Sequence, residues 1–303
     1  MTERPTGPSY RDLVAERIDV PPSHNILSID LEEYYNYVPW AERIVDAQSI
    51  PQRAHETLPR LLDLLDACGL RATFFVLASV IDNVRPHLAR IVESGHEIAC
   101  HGWSHERVHK MTPQTFREDI RRSRDAIEAA TGVRPKGYRA PSFSITTDTL
   151  WAFDVLREEG FAYDSSVAPL KNFFYGGVPE APVGPHRLVN GLVEFPMPVY
   201  QFAWQRTLIG GGFYLRLFPQ VLNRYFLWRY AQRWGCPPVI YLHPWEFDDA
   251  TYNLWDLGAE HPMLAEHGRL MKWITTFNRH RALGRFERLL RSRQWTTFRE
   301  VLA

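Results

Sequence analysis

A chain of 303 residues can bury a large core, either as one α/β unit or as two smaller ones, and a single unit is the expectation here. Its 45% hydrophobic and 23% charged residues exclude a disordered or fibrous protein. Lys+Arg and Asp+Glu both number 35, so no global positive field exists to attract nucleic acid or an anionic membrane surface, and a polyanion partner is not expected.

The first residues, MTERPTGPSYRDLVAERIDV, contain no apolar run of signal-peptide length. No later stretch approaches the roughly 20 consecutive apolar residues of a transmembrane segment. The expectation is a soluble protein, cytoplasmic with the inner face of the membrane left open, with a loose polar leader over residues 1–24 and one domain over 25–303. Cys68, Cys100 and Cys236 form an odd, widely spaced set without a CxxC, which fits a reducing compartment. Cys100 abuts His101, but on an alternating strand it faces the other way and reads as buried filler.

From Asn25 onward, strand and helix signals alternate. NILSIDLE is an apolar run ending in acids, a strand, and HETLPRLLDLLDACG carries leucines at helical spacing closed by Gly69. RATFFVLA predicts the second strand and SVIDNVRPHLARIVESG a helix that tolerates Pro86 only in its first turns. HEIACH predicts the third strand. The next helix, MTPQTFREDIRRSRDAIEAATG, opens with Thr112 as N-cap and Pro113 as first helical residue, with Phe116, Ile120 and Ile127 on one face.

KGYRAP and FAYDSS predict strands four and five around the helix TTDTLWAFDVLREEG. Beyond Ser166 the rhythm breaks for roughly fifty residues rich in Pro, Gly and aromatics, the composition of an insertion with short strands. The helix FPQVLNRYFLWRYAQRWG then leads to the last strand, PPVIYLH. The tail, roughly 250–303, reads as an extension with helical stretches around MLAEHGRLMKWITTFNRH and LGRFERLLRSRQ.

Repeated strand–helix–strand units predict parallel strands with right-handed crossovers, hence a (β/α) barrel or a doubly wound open sheet, the barrel being preferred. No GxGxxG follows the first strand, and Gly210 to Gly212 precede a Phe-Tyr segment without a helix start, so a dinucleotide site is not expected.

In parallel α/β folds functional groups collect at the carboxyl ends of strands. There stand Asp30 and Glu32 on the first, His101 on the third, Arg139 on the fourth, Asp164 on the fifth and His243 on the last. Each alone has an ordinary structural reading, as a solvated acid, an ion-pair arginine or a turn cap; their coincidence at one rim points to an active site. Asp30 and Glu32, two apart on a strand, share a face, so one can bind a metal while the other stays free as a base. His101 and His105, four apart in HEIACHGWSH, place two imidazoles on one side if the chain turns after the strand. Two histidines and a carboxylate with open positions suit zinc, and would also hold cobalt, nickel, manganese or iron.

The order ILSIDLEE, GHEIACHGWSH, GYRAPSFS, AYDSS and YLHPWEFD, from about Leu27 to Asp249, resembles the polysaccharide deacetylases of the NodB-homology, carbohydrate esterase 4, superfamily. The DxE motif, GGGFYLR, LHPWEFD and the FNRHRALGRFERLL tail resemble the branch associated with exosortase and exopolysaccharide gene clusters. The resemblance implies a distorted (β/α)7-type barrel, an insertion after the fifth strand and a helical C-terminal extension. It implies removal of N-acetyl groups from an amino-sugar polysaccharide or its lipid-linked precursor, with release of acetate.

By the same resemblance Asp30 is the general base, His101 and His105 bind metal, Arg139 holds the base carboxylate, Asp164 is a supporting acid and His243 is the general acid. Where the family has two adjacent aspartates, this chain has Leu31 followed by Glu32, so Glu32 is the expected third ligand and Glu33 the lesser choice. Tyr35, Trp103, Phe143 and Trp245 flank the motifs as candidate sugar contacts. The expected partner is an N-acetylated glycan, with no nucleic acid; a homo-oligomer is left open. The rival readings are a cyclic amide or imide hydrolase on the same scaffold and a carbohydrate-binding relative without turnover.

Overall fold

A computed structural model describes residues 8–36, 51–171, 177–203, 205–248 and 272–303. The chain enters through a short helix α1 (Tyr10–Leu13) and β1 (Val14–Arg17), followed by the central strand β2 (Asn25–Leu31). Then α2 (Ala54–Cys68), β3 (Thr73–Val76), α3 (Ile81–Glu93), β4 (Glu97–Cys100), α4 (Pro113–Thr131), β5 (Gly137–Tyr138), α5 (Ala152–Glu158) and β6 (Tyr163–Asp164) alternate as the hydrophobic pattern predicts. The region after Ser166 supplies β7 (His186–Leu188), β8 (Val193–Glu194) and the hairpin β9 (Val199–Phe202) and β10 (Gln205–Leu208). It continues through α6 (Gly212–Leu217), α7 (Gln220–Trp234) and β11 (Val239–Leu242) to α8 (Ala282–Leu290), β12 (Trp295–Thr296) and α9 (Phe298–Leu302).

One curled sheet runs in the order β1-β7-β8-β6-β5-β4-β3-β2-β11, with β12 added alongside β2. Every pair from β8 through β6, β5, β4, β3 and β2 to β11 is parallel, so seven parallel strands form the barrel wall. The seventh, β8, sits inside the segment expected as an insertion; two residues are too short to carry a periodic signal. Strands β2, β3, β4 and β11 are buried along their whole length, which is why they read as continuous apolar runs.

Local chemistry explains the helices. Thr112 Oγ1 accepts the Thr115 N–H at 3.2 Å, Pro113 follows, and Gly132 ends α4 in the left-handed conformation, while Phe116, Ile120 and Ile127 are buried. Pro59 within α2 cannot donate to the His55 carbonyl; the ring of His87 on α3 takes that acceptor at 3.0 Å. Of the helical tail expected over 263–280, residues up to 271 lie outside those described.

Residues 8–24 correct the expectation of a loose leader. β1 pairs antiparallel with β7, and Tyr10 is fully buried, its hydroxyl 2.7 Å from His186 Nε2 and its ring edge-on to Phe153. The composition is polar because only one face of this segment meets the core. The far end of the chain is equally committed. Phe298, with no exposed surface, stacks on Tyr163 at 5.1 Å and meets Phe195 and Phe75 edge-on inside the barrel. Its N–H donates to Thr73 Oγ1 and that of Arg299 to the buried Glu97, so the C-terminus seals the barrel floor.

Two predictions follow from this packing. Phe298→Ala is expected to cost about 3–5 kcal/mol, read as a shift in the urea midpoint; a cost near zero would mean that the plug is dispensable. Burial pushes the imidazoles of His96 and His186 down to about 4. An unfolded histidine takes up its proton near pH 6.5, so the unfolded chain binds more protons and stability falls as pH drops from there toward 4, by up to about 1.4 kcal/mol per pH unit and histidine. Urea midpoints across that window should flatten in His186→Gln.

Candidate metal and acid–base site

The parallel register carries Asp30, Glu32, His101, Arg139 and His243 to one rim, as their strand-end positions predict. All are almost wholly buried. Asp30 lies within β2 and Glu32 just past it, and both carboxylates point at His243 Nε2, at 4.0 and 3.6 Å. A small cavity of about 20 Å³ is bounded by Asp30, Glu32, His101, His105, Ser142 and Tyr241, with Ala140, Phe143 and His243 completing the wall. That is room for about one water-sized or ion-sized group.

Arg139, with no exposed surface, holds the base side of the site. Its Nη1 donates to Asp30 Oδ1 at 2.6 Å and to Ser28 Oγ at 2.9 Å, and its Nε and Nη2 donate to the carbonyl and hydroxyl of Ser165. The guanidinium lies 4.1 Å from the centre of the Phe75 ring.

His101 follows β4, and its Nδ1 donates to the carbonyl of Arg139 at 2.8 Å. A carbonyl can only accept, so the lone pair of His101 is on Nε2, which faces Glu32 Oε2 at 3.7 Å. The chain then turns through Gly102 and His105, with φ of 79° and 63°, and brings His105 Nε2 to 2.8 Å from the same oxygen. A Cβ on Gly102 would sit 3.1 Å from the Asp119 carboxylate, so this turn is built on glycine.

Glu32 Oε2 is buried and receives no hydrogen bond among the described residues. Two imidazole nitrogens and this carboxylate place one ligand atom each within 4.8 Å of one another. A cation between this oxygen and the imidazole nitrogens would satisfy all three, so the donor set fits a divalent metal with open coordination positions. Burial alone would push the Glu32 carboxyl up, yet His105, His101 and His243 together hold it well below the usual range.

Glu33, the lesser candidate ligand, is elsewhere. Its carboxylate accepts the Arg53 and Ala54 N–H groups at the start of α2 and the Asn83 amide at 2.6 Å, so it anchors a helix N-terminus. Asp164 does not touch His243 or the cavity. It accepts from the hydroxyl and N–H of Ser166 and lies beside the buried Glu194. Burial pushes both acids up; the charge and hydrogen bond of Asp164 push Glu194 up further, while the hydrogen bond to Glu194 favours the Asp164 carboxylate. The adjoining Ser165 is what supports Arg139.

The aromatic candidates separate in the same way. Phe143 lines the cavity. Trp245 is stacked behind His243 at 5.0 Å and is 4% exposed. Trp103 lies under the Arg122 guanidinium, 3.5 Å from its centre, and Tyr35 packs against Tyr34, so neither is on the cavity wall. Ser142 and Phe143 are consecutive non-glycine residues at φ of 54° and 51°, a conformation that costs roughly 1–2 kcal/mol each.

Sequence reasoning missed Glu246, Arg216, Ser28 and Tyr241. Glu246 Oε2 lies 3.5 Å from His243 Nδ1 and accepts the His243 N–H at 3.1 Å. The fully buried Arg216 backs it, Nε to Oε1 at 3.3 Å, while donating to the carbonyls of Phe277 and Ile274. Burial disfavours the His243 imidazolium, but the bond to Glu246 and the charges of Glu32, Glu246 and Asp30 outweigh it and raise the pKa. A Cβ on Gly212 would fall 1.7 Å from the Glu246 carboxylate, and one on Gly211 would fall 2.4 Å from Tyr241 Oη. These two glycines therefore allow close backbone approach, and a helix does start there, at Gly212. The only sequence signal was the buried-type pattern PWEF after the last strand.

Residues 46–161 match the family model described as polysaccharide deacetylase, and residues 165–303 match one described as a domain of unknown function, DUF3473. The chain is 35% identical over 111 residues to a peptidoglycan deacetylase-like protein of Gibberella zeae, covering 36% of this chain and 32% of that one. It is 34% identical over 110 residues to a peptidoglycan deacetylase of Helicobacter pylori, covering 36% of each. The chain thus spans about a third of the length of the curated relatives it matches. A solved structure from Mycobacterium smegmatis, assigned to the polysaccharide deacetylases, aligns with TM-score 0.54 and 21% identity over 94% of this chain and 96% of that one. An allantoinase structure aligns with TM-score 0.56 and 16% identity over 92% and 89%. Both likenesses are of fold.

Metal analysis after dialysis separates the two glutamates: His101→Ala and Glu32→Ala are expected to lose bound divalent metal, whereas Glu33→Gln keeps it and instead loosens the start of α2. Full retention of metal by Glu32→Ala would remove Glu32 from the ligand set.

Proposed function

Because residues 46–161 match the polysaccharide deacetylase family model, we propose that the chain hydrolyses the N-acetyl group of an amino sugar in a polysaccharide or its lipid-linked precursor, releasing acetate and a free amine. The observation that carries this reading is the convergence of Asp30 and His243 on one cavity with the Glu32, His101 and His105 donor set. Relatives named as peptidoglycan deacetylases support an N-acetylated amino-sugar polymer as the substrate class.

A divalent metal held by Glu32, His101 and His105, zinc by the nature of the donors, would polarise the acetyl carbonyl and acidify a water. Asp30 accepts a proton from the attacking water through Oδ2, Oδ1 being held by Arg139. His243 presents Nε2 on the same side and gives a proton to the departing nitrogen, without which an amine leaves poorly. Glu246, fixed by Arg216, orients the imidazole through Nδ1.

The developing oxyanion needs a backbone donor. Between Arg139 and Ser142, the Arg139 and Ala140 N–H groups are bound to Cys100 O and Ser166 Oγ and Pro141 has none, so Ser142 on the cavity wall is our candidate. A sugar ring is too large for the cavity and stays at its mouth beside Phe143, with the acetamido group entering. Tyr35 and Trp103 would then be packing residues. Asp164, with Glu194, supports the Ser165–Arg139 contact and takes no part in proton transfer. We place the enzyme in the cytoplasm, on the strength of its three unpaired cysteines, at the step where an exopolysaccharide intermediate is deacetylated. No helix among the described residues is long and apolar enough to cross a membrane.

Acetate release from N-acetylated oligosaccharides tests the reading. Asp30→Asn and His243→Ala are expected to lower kcat by about 10²–10⁴ with metal content intact; unchanged turnover in either would overturn the assignment of base and acid. Glu246→Gln should lower kcat with KM nearly unchanged.

A further inference from the structure

Helix α7 presents an exposed apolar face. Its inner side, with Phe226, Leu227, Tyr230 and Ala231, is buried. Its outer side carries Val221, Tyr225 and Trp228, which are 76%, 44% and 50% exposed. These three recur at i, i+4 and i+7 and so form one apolar stripe. Arg224 borders the stripe on one flank and Arg229 and Arg233 on the other, and the helix has no acidic residue. From β9, Phe202, 44% exposed, packs edge-on against Phe226 at 5.7 Å.

Beside the first turn of α7 a cavity of about 310 Å³ opens, far larger than the one at the barrel rim. Three arginines line it, Arg224 from α7 and Arg285 and Arg288 from α8, over a floor of Leu215 and Leu289. Among the described residues none of the three is paired with a carboxylate. Arg288 Nε donates to Gln220 Oε1, and Arg285 Nη2 donates to the carbonyls of Leu215 and Phe218, while Arg285 Nε is buried without an acceptor. The only acid on either helix, Glu287, is paired with Arg291. A chain with no net charge has therefore gathered five arginines on α7 and α8 against one glutamate.

Apolar and aromatic side chains flanked by guanidiniums, next to a cationic hollow, complement the interfacial layer of an anionic membrane. We propose that this face docks on an anionic phospholipid bilayer, with lipid phosphates entering the cavity at Arg224, Arg285 and Arg288 and with Val221, Tyr225 and Trp228 among the upper acyl chains. The local field supplies what the zero net charge seemed to exclude. The docking is independent of the chemistry at the barrel rim.

Vesicle co-sedimentation of the full chain tests it, with phosphatidylcholine alone, with equal parts phosphatidylcholine and phosphatidylglycerol, and with a duplex oligonucleotide as a competing polyanion. The wild type is expected to sediment with the mixed vesicles only, and less so as salt rises. Arg224→Glu/Arg288→Glu should weaken that binding at least about tenfold. Trp228→Ser should leave weak binding that salt abolishes. Both variants should melt like the wild type and keep acetate release from a soluble oligosaccharide. No sedimentation of the wild type, equal sedimentation with neutral vesicles, charge-reversed protein that binds as well as wild type, or preference for the oligonucleotide would overturn the proposal.

Discussion

The site depends on one buried guanidinium. Arg139 has no exposed surface, and removing a charge of this kind from water is tolerated only where every donor finds an acceptor. Its side chain reaches Ser28 and Asp30 on β2 and Ser165 past β6, and its own carbonyl receives the Nδ1–H of His101. One residue therefore sets the orientation of the proposed base and the tautomer of the first proposed metal ligand. Breaking a buried pair such as Arg139–Asp30 leaves an uncompensated charge at a cost of about 3–5 kcal/mol, so geometry at the rim and stability of the barrel are coupled.

That coupling extends beneath the site. Phe298 closes the floor of the barrel below Phe75, the ring on which Arg139 lies, and the N-terminus of α9 is tied to Glu97 and Thr73. On the other flank, Arg216 and the close approach of Gly212 tie α6 to Glu246 and through it to His243. The span 165–303, matched to a domain of unknown function, thus contributes the proposed acid, its positioning pair and the barrel floor. It belongs to the body that carries the proposed site as much as residues 46–161 do.

Much of this was legible in the sequence because parallel strands translate order along the chain into place on a rim. Asp30, Glu32, His101, Arg139 and His243 could be brought together from strand ends alone, and Thr112 and Pro113 marked the start of α4. What stayed hidden has physical reasons. β8 and β12 are two residues long, below the length at which alternation is visible. The proposed helper of His243 is a long-range partnership of Arg216 with Glu246, thirty residues apart, and spacing says nothing about such pairs. Asp164 stood at the right strand end, but its carboxylate is taken up by Ser166 and Glu194, partners that strand spacing does not reveal. The overall charge balance concealed a segregated surface, since a sum carries no information about where the arginines lie.

The donor set is the centre of the account, and anomalous diffraction at the zinc absorption edge from crystals of the zinc-loaded chain tests it most directly. The account predicts a single strong peak bonded to Nε2 of His101, Nε2 of His105 and Oε2 of Glu32, with Asp30 held off by Arg139. A peak ligated by Asp30 in place of Glu32, or density at any other cluster with this rim left empty, would contradict it.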